Sequence, residues 1–182
     1  MIRRTVALAA HSLARIRGML LGLSLLLGAF QFLLTEVAAY LMRRGAFAQL
    51  SELIPDFVRA AAGPSALGFM SFSGIVGLGY FHPVVMAALV GQTIAIAMEP
   101  AGEVESRFVD LVLARPIARL DVMLRTVLVL FVAGTLMLGA MTLGTWTGLA
   151  CCAPPDAETP SIRLILSLAL TLGALLACWA GV

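Results

Sequence analysis

Six charged residues of this chain gather in one short stretch. Glu103, Glu105, Arg107, Asp110, Arg115 and Arg119 fall between Ala101 and Arg119, with long apolar runs on either side. These types do not assemble a catalytic set. The chain offers no Ser/His/Asp grouping with workable geometry and no pair of carboxylates inside an apolar run. It has no GxxxxGK[ST] loop to cradle nucleotide phosphates. Cys151, Cys152 and Cys178 give neither a disulfide framework nor Cys/His spacing for zinc. What the charged stretch can do is offer a polar surface to something soluble.

The spacing predicts a short helix over 103–114. Pro100 and Gly102 break what precedes it, and Pro116 stops it. Glu103 and Glu105 suit the positive end of the helix dipole and Arg115 the negative end. Val104, Phe108, Leu111 and Arg115 share a face, with Glu105 and Val109 beside it. Two readings follow from the residues alone. One is a solvated loop helix resting on lipid headgroups. The other is a docking helix for a cytosolic protein, with Phe108 and Leu111 as anchors and Glu103, Glu105, Asp110 and Arg115 as a polar rim.

The elements around this segment are membrane passes. Of 182 residues, 61% are hydrophobic, and mean hydropathy is +1.03. Soluble domains are roughly 45–50% apolar. A net charge of +2 gives no nucleic-acid footprint. About 20 apolar residues cross the hydrocarbon core, and four runs qualify: Gly18 to Leu41, about Tyr80 to Met98, about Leu124 to Ala150, and Ile162 to Val182. Residues 1–17 read as an interfacial amphipathic helix. Ile2, Val6, Ala9, Leu13 and Ile16 lie on one face; Arg3, Arg4, His11 and Arg15 lie on another. Gly- and Ser-studded residues 65–79 read as an interfacial or re-entrant segment, broken from the second pass near His82–Pro83.

Arginine placement sets the expected orientation. Arg3, Arg4, Arg15, Arg17, Arg107, Arg115, Arg119 and Arg125 fall on one side, against Arg43, Arg44, Arg59 and Arg163 on the other. The positive-inside rule then puts the N-terminus in the cytoplasm. Trp146 and Tyr80 fit an outer aromatic belt.

Three polar residues within passes are candidates for a pathway. Gln31 and Glu36 lie in the outer half of the first pass, where an ionisable group marks function unless it sits at the interface. Gln92, mid-way along the second, is read first as an inter-helix hydrogen-bonding residue. Gly18-x-x-x-Gly22 and Gly144-x-x-x-Gly148 permit close helix contact. His82 reads as a helix-start feature.

Residues 99–119 resemble a signature of the type-2 ABC exporter permease family, A-G-E-x-E-x-G-T-L-x-L-L-L-x-R-P-V-S-R. Ala101, Gly102, Glu103, Glu105, Leu111, Leu113, Arg115, Pro116 and Arg119 match; Val109, Val112 and Ile117 are apolar equivalents. Gly79-Tyr-Phe-His-Pro83, the basic N-terminal helix and the long loop after the first pass are also similar to that family. Arg107-Phe108 replaces its Gly-Thr pair. The family usually has about six passes, so 1–182 is expected to be a single permease domain that is either shortened or a fragment.

The apolar runs and the amphipathic start give an all-α integral membrane protein of four transmembrane helices with an N-terminal interfacial helix, and the resemblance implies that the charged segment is a short cytoplasmic coupling helix. Glu103, Glu105, Phe108, Asp110, Leu111, Arg115, Pro116 and Arg119 would couple to a separate cytosolic ATP-binding cassette subunit. ATP and Mg would bind that partner, and this chain would hold no cofactor and catalyse nothing itself. A second permease copy or paralogue would complete a dimer in the bacterial inner membrane. The competing function is a non-transporting membrane scaffold that recruits a soluble protein through the same segment.

Overall fold

The computed structural model describes residues 2–47, 49, 68, 71–99, 102, 119–155 and 157–180. Among them the elements are α1 (Ile2–Arg43), α2 (Phe72–Leu78), a 3-10 turn (Gly79–Phe81), α3 (Pro83–Ala97), α4 (Arg119–Cys152) and α5 (Ile162–Ala180). The described chain is 90% helical without a strand. Four stretches are long and apolar enough to cross a membrane: Thr5–Arg43, Phe72–Ala97, Leu120–Cys152 and Ile162–Trp179. A helix closes its own backbone hydrogen bonds, which hydrocarbon demands. Leu25, Phe131 and Leu170 are more than 70% exposed on the outer faces. In water each would forgo about 1.5–3 kcal/mol of burial; against lipid tails they forgo nothing.

The N-terminal region departs from expectation. Residues 2–17 are not a separate element but the first turns of α1, which runs for 42 residues without interruption. The sequence there is rich in Ala and Leu and has neither Pro nor Gly before Gly18, so nothing breaks the helix. Its buried face also differs. Thr5, Ala9, Ser12, Leu20, Ser24, Leu27, Gln31, Thr35 and Ala38 turn inward, while Val6 is half exposed. The stripe rotates toward Thr5 and Ser12 because α4 lies alongside.

α1 and α4 run parallel. Going along both chains, Thr5 meets Asp121, Gly28 meets Ala140 and Gly144, Thr35 meets Gly148, and Arg43 meets the Cys152 carbonyl. In α4 the residues Asp121, Arg125, Val129, Ala133, Met137, Met141 and Thr145 are buried at every fourth position. Glycine is required where the helices cross. A Cβ on Gly144 would overlap the Gly28 backbone, and one on Gly148 would press on Thr35. The Gly144-x-x-x-Gly148 pair therefore makes the close contact its spacing permits. Gly18 and Gly22, at the same spacing, meet nothing within 4 Å.

The expected break at His82–Pro83 is present. His82 is extended (φ −63°, ψ 140°), and its Nδ1 accepts the Val84 N–H at 3.3 Å. Pro83 opens α3, where its missing N–H costs nothing. Ser71 caps α2 by accepting the Gly74 N–H at 3.0 Å. α2 buries Phe72 and Val76 against Ala38 and Ala39 of α1. α5 packs on α3 and α4 through Ile165, Ala169 and Leu172.

Candidate functional site

The polar groups that define a site collect at the end of the bundle that holds the N-terminus of α1. Glu99 follows the C-cap of α3 and pairs with Arg15 of α1. The Glu99 side chain is only 7% exposed, against 49% for Arg15. A carboxylate that buried depends on its cation. Asp121 lies in the first turn of α4, where the positive end of the dipole favours it. Its Oδ1 also accepts the Thr5 hydroxyl at 3.2 Å. Arg125, one turn further on, is 6% exposed. Both roots of the charged connection, the end of α3 and the start of α4, therefore emerge beside the first four turns of α1.

Of the residues expected to couple to a partner, Arg119 opens α4. Glu103, Glu105, Phe108, Asp110, Leu111, Arg115 and Pro116, and with them the expected 103–114 helix, lie outside the described residues. Nothing in the local sequence marks Thr5, Arg15, Glu99 and Asp121 as site residues, and the amphipathic pattern sets Arg15 on the polar face of an interfacial helix. A signal lies in position along the chain: Glu99 and Asp121 are the charges that bracket the connection where the passes begin and end.

The candidate pathway residues separate. Gln31 is wholly buried, and its Nε2 donates to the Val76 carbonyl at 3.1 Å. That bond satisfies a backbone group near the α2–α3 break, a joining role for a buried amide. Gly79 sits so close to Gln31 and Leu34 that a Cβ would collide with both. Gln92 is 4% exposed, and neither amide atom makes a hydrogen bond among the described residues. Glu36 is exposed on α1. The structure thus brings none of Gln31, Glu36 and Gln92 into hydrogen-bond contact with another.

Tyr80 faces the bundle interior. It is fully buried, and its hydroxyl shares a 3.0 Å hydrogen bond with Thr145. The break at residues 79–82 turns the ring inward onto α4. Trp146 is 55% exposed on the outer surface, as a belt residue would be.

Beside the glycine crossing is an open groove of about 360 Å³, with Ser24, Gly28, Ala140 and Gly144 among its walls. Its lining is almost wholly apolar, which suits a lipid tail better than a polar solute. Comparison with protein-family models, with curated proteins and with solved structures finds no match to this chain.

Proposed function

We propose that this chain is the membrane-spanning permease subunit of an ATP-driven ABC exporter. It works in the bacterial inner membrane with its N-terminus in the cytoplasm, paired with a second permease copy or paralogue. One observation carries the reading: an acidic-to-basic segment resembling a coupling signature is rooted at the arginine-rich end of an apolar four-helix bundle. Glu103, Glu105, Asp110 and Arg115 form the polar rim of the docking surface, Phe108 and Leu111 its anchors, and Pro116 its stop, with Arg119 leading into α4. ATP is bound and hydrolysed on the partner. Closure of two partner subunits pushes the paired docking segments together, and that rigid-body motion tilts α3 and α4.

Replacing Phe108 or Leu111 with Asp tests the reading. The variants insert normally but lose the co-purifying ATPase subunit. Undiminished capture of the ATPase, or accessibility labelling that puts residues 103–119 on the far side of the membrane, overturns it.

A further inference from the structure

We propose that the first four turns of α1 are a strut that pins both roots of the charged connection and carries its displacement into α1. Arg15 holds Glu99, one residue beyond the C-cap of α3. Thr5 holds Asp121, in the first turn of α4. The two attachment points are ten residues apart, about 15 Å along the helix axis. The roots are therefore staggered along one rod, each with its own fastening.

Both acids are almost fully buried, Glu99 by side chain and Asp121 at 5% exposure. Withdrawing either from its partner leaves a polar or charged group in an apolar setting, so neither contact slips freely. The strut itself has no hinge, because α1 is helical from Ile2 to Arg43. A push on the connection thus reaches three helices, α3 and α4 by covalent continuity and α1 through these side chains. The transmission half of this proposal rests on the exporter reading; the pinning half does not.

The test uses the full chain in membranes, with Cys151, Cys152 and Cys178 replaced by Ala. In that background, Arg15→Cys with Glu99→Cys is joined by a bifunctional thiol reagent whose span matches the reach of the arginine–glutamate pair, detected by mass spectrometry. Absence of that cross-link overturns the pinning. For transmission, an environment-sensitive fluorophore is placed on Ala10→Cys, an exposed position of α1, in complex with the ATPase subunit. The complex gives an ATP-dependent signal change. Arg15→Glu and Glu99→Arg each cut that change at least fivefold at equal ATPase occupancy. The double reversal restores it to within twofold. Should reversal block insertion, Arg15→Gln takes its place with the same expected loss.

Singles that leave the signal intact, or a double that does not recover it, overturn transmission. If no ATPase binds at all, the exporter reading fails and transmission falls with it, while the cross-link still decides the pinning.

Discussion

Two stretches of α1 hold their neighbours by opposite means. At Gly28 the contact is backbone against backbone, with Ala140 and Gly144 of α4 pressed close and no charge involved. At Thr5 and Arg15 the contact is made by polar side chains reaching to Asp121 and Glu99. The first kind is short-ranged and admits no added atom. The second has reach, depends on charge and can be inverted by exchanging partners. The middle of α1 thus sets where the helix lies, and its N-terminal turns set what it responds to.

The contrast breaks most visibly at the crossing. Gly144→Leu forces two helix backbones apart and is expected to cost about 3 kcal/mol or more. Thermal melting of the detergent-solubilised chain reads this; an unchanged midpoint would mean that the glycine seam is not formed. At the charged end the effect is smaller and lopsided. Arg15→Ala strands a buried carboxylate and costs about 2 kcal/mol, whereas Glu99→Ala leaves a half-exposed arginine that water already reaches and costs about 1 kcal/mol or less. Equal losses for the two would place the burial on the wrong partner. The same pair should weaken as salt is raised, and the seam should not.

Tyr80→Phe removes one buried hydroxyl contact while Thr145 keeps its bond to the Met141 carbonyl at 3.1 Å. About 0.6 kcal/mol is the expected loss, by analogy with polar contacts between membrane helices. A loss several times larger would give the hydroxyl a role in more than one bond. The smallest effect has the opposite sign. Gly22→Ala meets open space and gains helix propensity, at most about 1 kcal/mol. Destabilisation by that change would reveal a neighbour that packs on Gly22.

The passes were legible because hydrocarbon imposes a simple rule on composition, and runs of Leu, Val and Ala satisfy it in sequence. Their ends were not. α4 starts at Arg119 and not near Leu124, because Asp121 and Arg125, which look like water-facing charges, are buried near the start of the helix. Two glycine pairs of identical spacing could not be told apart either. Only tertiary placement gives Gly144 and Gly148 a facing helix and leaves Gly18 and Gly22 open. Tyr80 read as an interfacial ring for the same reason: nothing local reveals that the 3-10 turn points it at Thr145. At the candidate site, the charge pattern from Glu103 to Arg119 was plain in the sequence. The grip on its roots was not, since Arg15–Glu99 and Thr5–Asp121 join residues far apart along the chain.

Were its fastenings at Thr5–Asp121 and Arg43–Cys152 released, an unbroken α1 that touches α4 most tightly near Gly28 would pivot there as a see-saw. From that fulcrum the N-terminal arm, residues 2–28, measures about 39 Å and the opposite arm, residues 28–43, about 22 Å. Rocking the long arm by about 5 Å would swing the far end by about 3 Å the other way. Movement begun at one face of the bilayer would then arrive at the other reversed in direction and reduced by the ratio of the arms.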